Sequence, residues 1–82
     1  MRNKRAYKIL ESDFALQEKI DKIILDAVRN GKRHFCMLVW TSHEHDAITR
    51  AMAVQEIYGN GLYWVDFFGD DFCCELSFKL RE

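Results

Sequence analysis

Apolar side chains at Leu16, Ile20, Ile23, Ile24, Ala27 and Val28 recur at spacings of three and four, with two adjacent pairs. That period places them on one face of a helix. Glu18, Lys19, Asp21, Lys22 and Asp26 fall largely off that face. Ser12 and Asp13 are good N-cap residues, and Asn30-Gly31 supplies a left-handed stop. Lys32 and Arg33 suit the negative end of the helix dipole. The pattern predicts a helix over residues 13–30. The period then changes. Residues 34–40 read His-Phe-Cys-Met-Leu-Val-Trp, a short and almost wholly apolar run bounded by helical patterns. It predicts a strand with Phe35, Met37 and Val39 on one side and Cys36, Leu38 and Trp40 on the other. Neither side is polar, so the strand is expected to be covered on both faces.

Thr41 and Glu44 have the spacing of a capping box, which predicts a second helix immediately after the strand. Its apolar stripe runs through Ala47, Ile48, Ala51, Met52, Val54 and Tyr58, and Gly59-Asn60-Gly61 ends it. A second strand follows at 62–68. Gly69-Asp70-Asp71 is a turn signal, and the last strand covers 72–80. There Phe72, Cys74, Leu76, Phe78 and Leu80 point one way, and Cys73, Glu75, Ser77 and Lys79 the other. Residues 1–11 read as flexible, as a helical lead-in, or as an extra strand around Tyr7–Leu10.

The expected fold is a single α+β domain over residues 1–82 with the order α-β-α-β-β. Two helices cover one face of a small mixed sheet, and a crossover helix joins parallel strands. The spatial order is 1-2-3 or 1-3-2. In both, the strand at 34–40 lies at an edge, and exposed apolar edges invite pairing. Either the N-terminal segment extends the sheet there, or a second copy of the chain pairs with it. Leu38, Trp40, Trp64 and Phe68 then mark an interaction surface on the helix-free face. Apolar patches of roughly several hundred Å² on small domains mark such sites.

Charge adds an asymmetry. Residues 1–41 carry nine basic and five acidic side chains, while residues 42–82 carry three basic and eight acidic. Opposite patches of this kind suit head-to-tail association or a nucleic-acid-binding end. The basic candidates for the latter are Arg2, Lys4, Arg5, Lys8, Lys32 and Arg33. Cys36, Cys73 and Cys74 form no Cys-x-x-Cys pair, and adjacent strand cysteines point to opposite faces. No disulfide framework is expected, which fits a reducing, cytoplasmic setting. No apolar run approaches the roughly 18 residues of a membrane span, and no apolar segment of a signal peptide follows the basic opening residues.

Catalytic and metal chemistry find little to build on. Thr41-Ser42-His43-Glu44-His45-Asp46 resembles the His-x-His-x-Asp-His signature of metallo-β-lactamase-fold hydrolases, with His43 and His45 in the places of two ligands. The signature's aspartate and last histidine fall on Ala47 and Ile48 here, and Asp46 is one place early. The expectation is a polar helix start, no metal, no cofactor and no catalytic residue. A four-ligand zinc site would need His34, Cys36, His43 or His45 to meet Cys73 or Cys74.

The whole-chain pattern from about residue 16 to 80 is a helix ending Ala-Val-x-Asn-Gly-Lys, an apolar strand, a helix ending Tyr-Gly, and a hairpin ending Glu-Leu-Ser-Phe-Lys. It resembles small bacteriophage-encoded α/β proteins of unknown function. The resemblance implies an accessory role, binding a host or viral protein. The sequence therefore points to a non-enzymatic interaction protein, expected as a homodimer, with nucleic-acid binding as the alternative.

Overall fold

The computed structural model describes residues 4–82. The elements are α1 (Lys4–Glu11), α2 (Phe14–Arg29), β1 (His34–Trp40), α3 (Ala47–Tyr58), β2 (Tyr63–Gly69) and β3 (Cys73–Leu80). The fold is α+β, as the periodicities predict. Three helices, rather than two, accompany the sheet.

The N-terminal segment is a helix, so it adds no strand. Ala6, Ile9 and Leu10 are its buried residues, and their spacing is helical. α1 packs on α3 and touches the start of α2. Its last carbonyls are satisfied locally: Ser12 Oγ donates to Ile9 O at 2.8 Å, and Gln17 Nε2 donates to Leu10 O. α2 begins where the sequence signals it. Asp13 caps it, accepting from Leu16 N–H at 3.1 Å. At its other end Gly31 takes a positive φ of 66°. The Gly31 N–H then donates to Val28 O, and the Lys32 N–H to Ala27 O. This pair of bonds is the Schellman stop that a glycine after the cap allows.

α3 starts later than a capping box at Thr41 and Glu44 predicts. Thr41 Oγ1 donates to Asp71 O, and Ser42 Oγ is engaged with His45. The cap is Asp46, whose side chain accepts from Thr49 N–H at 2.7 Å. Hydrogen bonding from the Thr49 side chain and then from its N–H holds Asp46 below the usual carboxylate range, aided by His45.

The sheet order is β1-β3-β2, and both pairings are antiparallel. This corrects the mixed sheet. β1 and β2 do run in the same direction, as a crossover through α3 requires, but β3 lies between them. The β2–β3 turn depends on Gly69, at φ 146°. A Cβ there would sit 2.3 Å from Cys73 O, so no other residue fits without moving the backbone. Asp70 Oδ1 closes the turn by accepting from Phe72 N–H at 2.9 Å and Cys73 N–H at 3.0 Å.

The core lies between the sheet and the helices. Met37, Val39, Tyr63, Val65, Cys74, Leu76 and Phe78 come from the strands, and Leu16, Ile20, Ala47, Ala51 and Val54 from α2 and α3. Alanines on α3 allow it to sit close to the sheet. Phe78 is fully buried, stacked on Phe35 with ring centroids 5.0 Å apart and edge-on to Tyr63 at 6.1 Å. Three inward expectations fail, the first being Val28 on α2, which is 59% exposed. Phe72 precedes β3 in the turn and is 75% exposed, and Met52 points outward from α3. Arg50 occupies the buried stripe instead, only 8% exposed, in an ion pair with Asp13.

Phe78→Ala is expected to lower the unfolding free energy by about 3–5 kcal/mol. Phe72→Ala should stay within about 0.5 kcal/mol, as for other surface changes. Urea denaturation of the two variants checks the assignment, and similar losses in both would contradict it.

Candidate functional site

Alternation along the strands divides the sheet into two unlike faces. One is the core. The other carries no helix. Its side chains fall into cross-strand rows fixed by the register: His34, Lys79 and Trp64; Cys36, Ser77 and Asp66; Leu38, Glu75 and Phe68; then Trp40 and Cys73. Leu38, Trp40, Trp64 and Phe68 are all substantially exposed, Phe68 by 69%. The four residues expected to form an interaction surface therefore share one face. They are not one continuous greasy patch. They flank it, on β1 and β2, and β3 places Glu75 between Leu38 and Phe68.

The rest of the face is polar. Asp66 and Glu75 form no ion pair among the described residues. The Arg81 guanidinium lies over the Trp64 ring, 3.6 Å from its centroid, and hydrogen-bonds the backbone carbonyls of Tyr63 and Gly59. This cation–π contact holds the indole in place while leaving it half exposed. His34 Nε2 is 2.8 Å from Ser77 Oγ and 3.9 Å from Cys36 Sγ. The face is thus basic toward His34, Lys79 and Arg81. It becomes acidic toward Glu75 and the Asp70-Asp71 turn.

The two edges of the sheet also differ. Bonds from Thr41 N–H to Phe72 O and from Leu80 N–H to Arg33 O fix the phase of the β1–β3 ladder. His34, Cys36, Leu38 and Trp40 consequently direct their N–H and C=O groups away from β3. Of these, Leu38 O is met by Lys19 Nζ at 3.0 Å, reaching from α2. On β2 the outward groups belong to Tyr63, Val65, Phe67 and Gly69. α3 lies against this strand, Gln55 Nε2 donates to Val65 O at 2.9 Å, and Arg81 Nε donates to Tyr63 O. Among the described residues the β1 edge is met by the Lys19 side chain, whereas the β2 edge lies against a helix.

The other candidates are scattered. Lys4, Arg5 and Lys8 lie on α1, and Lys32 and Arg33 in the turn before β1; Arg2 is outside the described residues. Lys8 adjoins the start of α2 and Lys32 follows its end, about 24 Å of helix apart. Arg33 is paired with Glu82. His43 and His45 occupy the loop before α3, with His45 Nε2 4.0 Å from Glu44. They are not joined by the cysteines. Cys36 and Cys73 are on the open face, and Cys74 is buried in the core. Among the described residues no group of three or more His, Cys, Asp or Glu side chains is placed to hold a metal ion. No helix among them is long and apolar enough to cross a membrane.

The residues that sequence reasoning missed are Arg50, Lys19, Gln55 and Arg81. Only Arg50 carried a signal. It falls three residues after Ala47 and four before Val54, on the apolar stripe itself. No family model, curated protein or solved structure matches the chain.

The three thiols should react in an order set by this placement. Cys36 is exposed. Burial pushes the Cys74 thiol pKa up, and the charges of Cys73 and Asp70 add to the shift. Alkylation of the native protein at mildly alkaline pH is expected to modify Cys36 first and Cys74 last, with Cys74 released by denaturant. Equal native rates, measured by peptide mass spectrometry, would refute the placement.

Proposed function

We propose that the protein is a small binding module, without catalysis of its own, that takes a protein partner on the open face of its sheet. The observation that carries this reading is the exposed set Leu38, Trp40, Trp64 and Phe68 on a helix-free face. Aromatic side chains are enriched among the residues that dominate protein interfaces. Two carboxylates with no ion pair among the described residues define the partner further: Glu75 between Leu38 and Phe68, and Asp66 between Trp64 and Phe68 along β2. Such a face suits a segment with large apolar anchors around a lysine or arginine.

The acidic middle disfavours a phosphate backbone at this face. The basic side chains of the alternative reading lie on α1 and before β1, divided by the length of α2. Nucleic-acid affinity draws on closely grouped phosphate contacts. The protein-binding reading is therefore the one supported here.

Display of random peptides against the immobilised protein tests it. Enriched sequences should combine aromatic or large aliphatic residues with Lys or Arg. Trp40→Ala and Phe68→Ala should each weaken those peptides by at least about tenfold, the scale of an interface hot spot. Their melting curves should match the parent, and Glu75→Lys should reject the cationic peptides. Failure to enrich any peptide, or binding indifferent to all three changes, would overturn the reading.

A further inference from the structure

We propose that the β1 edge binds β1 of a second copy of the chain, antiparallel, with Met37 on the two-fold axis. This names a partner for the open side of the sheet and rests on the reading of that side as the interacting one. The argument begins with the backbone. His34, Cys36, Leu38 and Trp40 present outward donors and acceptors, and Lys19 meets the Leu38 carbonyl alone. A strand edge of this length and apolarity is a template for another strand. The β2 edge lies against α3, with Gln55 and Arg81 holding two of its carbonyls.

The register is self-complementary. An antiparallel copy centred on Met37 sets His34 opposite the partner's Trp40 and Cys36 opposite the partner's Leu38, and the reverse. All four outward-facing residues on each strand are then hydrogen-bonded pairs, about eight bonds in total. Shifting the centre to Cys36 or Leu38 leaves residues at one end of each strand unpaired. The Lys19 ammonium is displaced, and the partner's N–H takes its place on Leu38 O.

Charge selects the same arrangement. β1 is entered through Lys32, with Lys79 beside His34, while Arg33 is already paired with Glu82. It leaves through Thr41, which is bonded to Asp71, toward Glu44. An antiparallel copy sets each basic end beside an acidic end. A parallel copy would bring like charges together, which is unfavourable. Isologous pairing about a two-fold also consumes both open edges, so growth stops at two chains. The product is one six-stranded sheet, whose open face joins the Leu38 and Trp40 flanks of both copies.

Sedimentation equilibrium across a concentration series should give a species of twice the 9.7 kDa chain mass. Cys36→Pro removes an outward N–H without touching the β3 ladder, and edge strands accept proline. It should yield a folded monomer by circular dichroism. A second test does not depend on that variant folding. In a Cys36→Ser, Cys73→Ser background, His34→Cys with Trp40→Cys places two thiols opposite each other across the proposed axis. Within one strand they are too far apart to join. Diamide should convert this variant to a covalent dimer, and neither single change should be trapped efficiently. A wild-type monomer at every concentration would overturn the proposal. A dimer that the double-cysteine variant does not trap, or that survives in folded Cys36→Pro, would also overturn it by pointing to another contact. Selected peptides binding a monomeric protein would leave the module reading standing while sinking this one.

Discussion

Every hydrogen bond between strands in this sheet involves β3. It is the last of the three strands in the chain and the middle one in space. β1 and β2 run in the same direction but never touch, so neither has a partner until β3 is inserted. The β1–β3 pairs join positions 33 to 45 residues apart, from Trp40 with Cys73 to His34 with Lys79. Closing such loops costs entropy before any pairing rewards it. The interior is built around the same strand. Cys74, Leu76 and Phe78 are fully buried, and Phe78 gathers Phe35 and Tyr63 from the strands on either side. The open edge of β1 follows from this arrangement. A strand that pairs with β3 alone has one side left over.

The helices explain why the two leftover edges differ. α3 connects β1 to β2 and packs closely on the latter. Its Gln55 side chain is then within reach of Val65 O. α2 covers the core from the β1 side but reaches the strand's backbone through Lys19 Nζ. A lysine cap is long, solvated and easily displaced. The open face has a comparable division, with aromatic residues on its outer strands and Glu75 on the middle one. Among the described residues, the His34, Ser77 and Cys36 contacts do not extend to a third metal-binding side chain.

Much of this was legible in the sequence because local signals were strong. The cap at Asp13, the stop at Asn30-Gly31 and the run from His34 to Trp40 bound their elements closely. Strict alternation in β3 assigned its inner and outer faces, and placed Glu75 outward. The strand order was narrowed to two possibilities, since a crossover followed by a hairpin permits both. Local pattern cannot choose between them, because insertion of β3 is a long-range event. The start of α3 was misread because Thr41, Ser42 and Asp46 are all capable caps. Thr41 is drawn to Asp71, thirty positions away, which leaves the role to Asp46. Lys19 and Gln55 carried no signal, since a polar residue reaching a strand edge has the same pattern as one facing water.

Asp13 joins two parts of the molecule that are distant in sequence. One carboxylate oxygen receives the Leu16 N–H at the start of α2, and the other faces Arg50 on α3. Arg50 Nε is buried with no acceptor among the described residues, so Asp13 carries its compensation. Fraying of the first turn of α2 therefore carries an added electrostatic cost. Opening it would strand a guanidinium inside the protein, at a cost of several kcal/mol. Helix ends ordinarily exchange their amide hydrogens through cheap local openings. Here the amides at the start of α2 are tied to an ion pair with α3, so their opening carries the added cost of separating Asp13 from Arg50.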